Sequence, residues 1–122
     1  MYSVLRITAE PEHLESLWAL GDAMNRRCPK FSWAQRKAGD GIVCDVSFSR
    51  DWAAHLGALL DLFHEQQSFL TEAINLGSTA TVDIAVEPED QRNGPIPIVL
   101  SLEPSILAAF ASLSVRLEVS VY

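Results

Sequence analysis

The residues best suited to recognising a ligand lie in one basic and aromatic segment, positions 26–37. Five of the nine lysines and arginines fall there with no acidic residue between them, so the segment carries +5 and the remainder of the chain −12. Cations beside aromatic rings can bind phosphate and stack on bases, or they can present a charged patch to an acidic protein. The candidate partner-binding residues are Arg26, Arg27, Lys30, Trp33, Arg36 and Lys37.

The same segment also has a structural interpretation, which we favour. Lysine and arginine protect an exposed sheet edge from pairing with another chain. In that case Phe31 and Trp33 face the core. The burial of these two rings therefore distinguishes a protected edge from a binding site.

The three histidines do not form a catalytic arrangement that the sequence reveals. His55 and His64 are nine positions apart, which on one continuous helix places them on opposite sides. Asp51 and His55 are four residues apart and can meet on a helix surface, where we expect an ion pair or a capping interaction. No serine or cysteine nucleophile has an evident place beside them. We predict no catalytic residue, and we favour a protein that is not an enzyme.

Nucleotide and metal sites lack their usual motifs in this sequence. It contains no P-loop, dinucleotide-binding turn, nucleophile elbow or HExxH pair. Glu87, Glu89 and Asp90 could be read as metal ligands, but they fall in a polar loop, where we expect solvation, and no EF-hand pattern is present. Cys28 and Cys44 have no metal-ligand spacing, and the apolar surroundings of Cys44 predict a buried free thiol. We predict no cofactor and no metal.

Apolar periodicity predicts the order β-α-β-β-α-β-β-α-β within a single domain, 1–122. Strand patterns cover residues 2–9, 31–35, 42–48, 79–87, 96–102 and 115–122, and helical patterns begin at Pro11 and Pro104 and span 51–76. Gly21 is expected to end the first helix, with a connection over 22–30. Residues 51–76 could form one helix, or two with Ser68 capping the second. Phe48 is expected on the buried face of its strand with Ile42 and Cys44.

Half-buried strands between long helices predict an α+β fold. We expect a mostly antiparallel sheet of about six strands with helices on one face. The first six elements follow a ferredoxin-like β-α-β-β-α-β order, and a C-terminal β-α-β unit extends it.

The net charge of −7 disfavours a nucleic acid or an anionic membrane as the partner. No apolar run approaches the roughly 20 residues needed to cross a bilayer, and the N-terminus lacks a signal-peptide pattern. We therefore expect a cytoplasmic protein. The oligomeric state does not follow from the sequence.

Several segments together carry a resemblance to a known family: Val4–Ile7, the helix ending near Leu20 and Gly21, the basic stretch Gln35–Asp40, His55–Leu62 and the ending Leu117–Tyr122. In this order, over nearly the full chain, they resemble a widespread bacterial family of short stand-alone proteins known only as a domain of unknown function. The resemblance implies a bacterial origin. It supplies no activity, cofactor or catalytic residue.

These observations lead us to expect a non-enzymatic binding module for a protein or another macromolecule. Immunity-type inhibitors, which bacteria encode as small acidic α+β proteins, are one form of such a module. The alternative is a small-molecule binder or enzyme with a pocket between the sheet and the helices. A pocket lined by Trp18, Trp33 or Trp52 together with Asp51 and His55 would favour that alternative.

Overall fold

Strand β1 (Tyr2–Thr8) lies at the centre of the sheet, and burial alternates strictly along it. Ser3, Leu5 and Ile7 are buried on one face, whereas Arg6 on the other face is partly exposed. This alternation with a period of two is typical of a strand that rests on the core with one face.

The computed structural model describes residues 1–87 and 102–122.

The other elements follow in chain order. A 3₁₀ turn over Pro11–His13 leads into α1 (Leu14–Arg27), and then come β2 (Trp33–Gln35), β3 (Gly41–Phe48), α2 (Trp52–Glu65), α3 (Gln67–Asn75), β4 (Thr79–Val86), α4 (Pro104–Ser112) and β5 (Arg116–Val121). The sheet order is β2-β3-β1-β4-β5. The pairs β2–β3, β3–β1 and β1–β4 are antiparallel, and β4–β5 is parallel.

The α+β class is therefore confirmed, with one mixed sheet and four α-helices in the part of the chain that the structure describes. The predicted arrangement of six strands in a ferredoxin-like core with an extension is not matched, because five strands are described and the last pair is parallel. Alternating polarity along a segment does not specify whether the strand pairs parallel or antiparallel. Of the strand predicted over 96–102, only Leu102 lies within the described residues.

Helix α1 continues past Gly21 to Arg27, so the predicted helix end at Gly21 is wrong. Gly21 is buried in the middle of the helix. A Cβ atom at this position would lie 3.3 Å from Cδ1 of Ile42 on β3. The glycine therefore allows the helix to approach the sheet closely instead of ending it.

Residues 51–76 form two helices, and the break falls at Gln66 rather than at a Ser68 cap. The Gln66 side chain is buried. Its Oε1 accepts a hydrogen bond from Nε1 of Trp33 at 2.8 Å, and its Nε2 donates to the carbonyl oxygen of Phe31 at 3.4 Å. The helix is interrupted where this side chain turns inward to satisfy polar groups of the β2 region.

A β-bulge interrupts the pairing of β1 with β3. Ser3 lies opposite Ser47 and Val4 lies opposite Asp45, so Val46 has no partner on β1. The extra residue reverses the alternation beyond it. Phe48 consequently points away from the core and is 85% exposed, so its predicted burial is wrong.

The core lies between the helices and the face of the sheet that carries Leu5 and Ile7. Between α2 and α4, the rings of Phe63 and Phe110 pack edge to face with centroids 5.3 Å apart.

Cys44 is a buried free thiol, as predicted. Among the described residues, no helix has the length and apolar character needed to span a membrane.

Candidate functional site

The two aromatic rings of the basic segment lie in the core. Phe31 and Trp33 are each 5% exposed, and the Trp33 ring packs against Phe69 with centroids 5.2 Å apart. The indole N–H of Trp33 is already bonded to Gln66. The buried rings favour the protected edge over a site built on the aromatic side chains, and the segment lacks the exposed stacking surface that single-stranded nucleic acids require. Only the charged side chains of the segment remain accessible to a partner.

Two of the five cations in the segment are held by acidic neighbours. Nζ of Lys30 lies 3.4 Å from Oε1 of Glu65 and 3.9 Å from Oδ2 of Asp61, both on α2. Nη1 of Arg36 lies 3.4 Å from Oδ1 of Asp40 within the β2–β3 turn. These ion pairs connect the segment to the fold and reduce its outward positive charge.

Arg26, Arg27 and Lys37 are the exposed cations that remain. None of them makes an ion pair within the described residues. Arg26 and Arg27 end α1, where cations interact favourably with the helix dipole, and Lys37 lies in the turn that follows β2. We name these three residues the basic edge, because they flank the edge strand β2.

A side chain of α1 occupies backbone hydrogen-bonding groups on the open edge of β2. Nδ2 of Asn25 donates to the carbonyl oxygen of Trp33 at 2.7 Å, and Oδ1 of Asn25 accepts from the backbone N–H of Trp33 at 2.6 Å. Asn25 therefore bonds Trp33 as a residue of a neighbouring strand would. Edge strands need protection of this kind against pairing with other chains.

The predicted meeting of Asp51 and His55 on the helix surface is wrong, because the two side chains have different partners. Asp51 caps α2 by accepting from the N–H of Ala53 at 3.0 Å, so the capping interaction is confirmed for this residue. His55 is fully buried. Its Nδ1 lies 2.7 Å from Oγ of Ser3 and its Nε2 lies 2.9 Å from the carbonyl oxygen of Ser49.

Sequence reasoning missed Ser3. Because Nε2 faces a carbonyl oxygen, Nε2 carries the ring proton, and Nδ1 accepts a hydrogen bond from the Ser3 hydroxyl. The arrangement ties the start of α2 to β1 and to the end of β3. One signal could have indicated it, namely a serine at a core-facing position of an otherwise apolar alternation.

A cavity of about 420 Å³ opens where the bulge separates β1 from β3. It is lined by Tyr2, Ser3, Asp45, Val46, Ser47 and Phe48. Asp45 is exposed and makes no ion pair among the described residues. Burial, followed by the neighbouring Tyr122, Glu87 and Asp83, raises the pKa of Tyr2. We name this feature the bulge cavity.

A second cavity, of about 390 Å³, lies between the N-terminal ends of α2 and α4. Asp51, Trp52, Glu103 and Ile106 are among its lining residues. The indole N–H of Trp52 is buried and has no hydrogen-bond partner among the described residues. We expected a small-molecule site to combine a tryptophan with Asp51 and His55. This cavity has Asp51 and Trp52 in its lining, but His55 faces Ser3 instead.

An ion-pair network crosses three strands on the face of the sheet opposite the core. Nη1 of Arg6 lies 3.3 Å from Oδ2 of Asp83 on β4, and Nη2 lies 2.6 Å from Oε2 of Glu118 on β5. Ser120 donates to Oδ1 of Asp83 at 2.9 Å.

Of the acidic residues considered as metal ligands, Glu89 and Asp90 lie outside the described residues.

In the part of the chain that the structure describes, fold and sites together define an α+β protein with a five-stranded mixed sheet, a protected strand β2, and open cavities beside the bulge and beside Trp52. No protein-family model, curated protein or solved structure matches the chain. The resemblance to a bacterial family of unknown function accordingly stays a prediction.

Proposed function

We propose that this protein is a non-enzymatic binding module that recognises an acidic protein partner at the basic edge, Arg26, Arg27 and Lys37. The observation that carries the proposal is the distribution of ion pairs. Lys30 and Arg36 are held by acids of the chain itself, whereas the basic edge is exposed and unpaired within the described residues. Immunity-type inhibition of another protein is one function that belongs to this proposal.

Charge alone would also suit a nucleic acid, and two features favour a protein instead. The aromatic rings that could stack on bases are buried. The rest of the chain carries −12, which repels a long polyanion but leaves a local patch able to meet a compact acidic surface.

Binding to two labelled polyanions tests the proposal. Fluorescence anisotropy at low salt would compare an oligoglutamate peptide with an oligothymidine of similar charge. We expect the peptide to bind more tightly than the oligonucleotide. The double variant Arg26→Gln, Arg27→Gln should weaken peptide binding about tenfold, because each lost contact between exposed charges contributes up to about 1 kcal/mol.

The matched control is Arg50→Gln with Arg116→Gln, which changes the net charge equally at positions outside the basic edge. It should leave peptide affinity within about twofold. Equal losses in both double variants would show that only net charge matters and would contradict a site at the basic edge. Tighter binding of the oligothymidine would favour a nucleic-acid partner.

The cavity beside Trp52 supports a second candidate function, the binding of a small molecule. Its buried indole N–H has no acceptor among the described residues, and leaving such a donor unsatisfied costs about 1–3 kcal/mol. A ligand whose acceptor atom reached this N–H would recover that cost. The test is a thermal-shift screen of metabolites. Compounds that raise the melting temperature of the wild type should lose this effect in Trp52→Phe, which keeps an aromatic ring and removes the N–H. If no compound changes the melting temperature, the result counts against this function.

A further inference from the structure

Phe48 is the most exposed large apolar side chain of the described residues, at 85%, and it lies on the strand that carries the bulge. The register places it opposite Tyr2, which also lines the cavity. Directly opposed residues on one sheet face have Cβ atoms about 4.5–5.5 Å apart. Two aromatic side chains are thus held at the mouth of the bulge cavity.

The polar groups of the cavity are acidic or neutral. Asp45 contributes a carboxylate without an ion-pair partner among the described residues, whereas the Ser3 hydroxyl is turned toward the core and bonded to His55. None of the six lining residues is a lysine, arginine or histidine. A bound group of positive charge would therefore meet one unpaired carboxylate and two aromatic rings.

Ser3, one of the lining residues, is fixed from the core side. The Ser3 hydroxyl is bonded to the buried His55, and His55 is held in turn by the carbonyl oxygen of Ser49. The N–H of Ser49 also donates to the carbonyl oxygen of Met1 at 3.0 Å. Binding sites are generally preformed concavities of about 300–1,000 Å³ with aromatic walls and few polar groups, and β-bulges are over-represented beside such sites.

We propose that the bulge cavity binds a small organic cation, with its ammonium or guanidinium group on Asp45 and its apolar part against Tyr2 and Phe48. A cation over an aromatic face gains about 0.5–2 kcal/mol, and the carboxylate supplies the charge complement. The site lies on β1 and β3, whereas the basic edge flanks β2. The two proposals therefore stand or fall independently.

Calorimetric titration with phenethylammonium, and with the uncharged phenethyl alcohol as its matched comparison, tests this proposal. The cation should bind at least about tenfold more tightly than the alcohol. Asp45→Asn and Phe48→Ala should each weaken cation binding about fivefold or more. Both residues are exposed, so the substitutions leave the core intact. Glu72→Gln removes an exposed acid on α3 and should leave binding unchanged.

An optical readout locates the bound cation. A positive charge beside Tyr2 favours the phenolate, so saturation with phenethylguanidinium, which keeps its charge at the alkaline pH of the titration, should lower the pKa of Tyr2, measured by ultraviolet absorbance in a Tyr122→Phe background. Equal affinity for the cation and the alcohol would overturn the proposal, as would unchanged binding in Asp45→Asn. Binding that is lost in Glu72→Gln would show attraction to net negative charge only, which also overturns it.

Discussion

Cys28 and Cys44 are chemically the same residue in two different environments. Cys44 is buried on β3, and burial, with a smaller contribution from Asp45, raises its pKa to about 12. Cys28 follows the end of α1 and is partly exposed, with its Sγ 3.6 Å from Oε2 of Glu65. The thiolate is the reactive form of cysteine, so reactivity should differ sharply between the two.

We predict that Ellman's reagent at pH 8 modifies one thiol of the folded protein quickly and the second only after unfolding. The fast thiol should disappear in Cys28→Ala and persist in Cys44→Ala. If both thiols of the folded protein reacted at the same rate, the burial of Cys44 would be contradicted.

The same shift has a consequence for stability at alkaline pH. The unfolded chain ionises Cys44 near its ordinary value of 9.0, whereas the folded protein ionises it near 12. Above pH 9 the unfolded state therefore binds fewer protons, and the free energy of unfolding falls as the pH rises from about 9 to about 12. Urea titrations across this range should show a smaller decline in Cys44→Ala than in the wild type, and Cys28→Ala should follow the wild type.

Strand β2 is short, and its protection depends on one side chain from α1. Asn25→Ala removes both bonds to the backbone of Trp33 and leaves buried polar groups unpaired. We expect the free energy of unfolding to fall by about 1–3 kcal/mol. We also expect faster amide hydrogen exchange at Trp33 and self-association at high concentration, because the strand edge is then open.

Asn75→Ala is the control for this effect, since Asn75 is exposed at the end of α3 and no side-chain hydrogen bond holds it among the described residues. It should change the free energy of unfolding by less than about 0.5 kcal/mol. A comparable loss in the two variants would mean that Asn25 contributes only as an ordinary helix residue.

Several elements could be predicted from the local sequence pattern, and the features that could not be predicted share one cause. The helical segments beginning at Pro11 and Pro104, and the strands β1, β4 and β5, follow from apolar spacing that each segment carries by itself. The extension of α1 past Gly21, the break at Gln66 and the outward turn of Phe48 depend on contacts with other elements. Periodicity within one segment contains no information about such contacts.

At the scale of the whole molecule, Arg6 connects strands that are far apart in sequence. Its guanidinium group joins β1 to Asp83 on β4 and to Glu118 on β5. We predict that Arg6→Met lowers the free energy of unfolding by about 1 kcal/mol and speeds amide exchange selectively in β5, whose described neighbour in the sheet is β4.

Arg116→Met removes an exposed arginine of β5 that makes no ion pair among the described residues, and it should leave amide exchange in β5 unchanged. Should Arg6→Met destabilise all strands equally, the network would be a general contribution to stability and would not specifically anchor β5.

The sites were less accessible to sequence analysis than the fold. The basic segment was visible because its residues are adjacent, and the structure separates its five cations into two held by acids and three exposed. The bond between Ser3 and His55 spans most of the first half of the chain. The bulge cavity depends on strand register, which a sequence pattern does not specify to one residue.

Deletion of one residue, Val46, could remove the bulge and its cavity without changing the fold. With Val46 deleted, Ser3 could still lie opposite Ser47, and Tyr2 opposite Phe48, in an uninterrupted ladder. Such a shortened gene would encode a protein with the same strand pairing and no bulge between β1 and β3. The presence or absence of this one residue in related genes would therefore be an evolutionary record of when the cavity was acquired or lost.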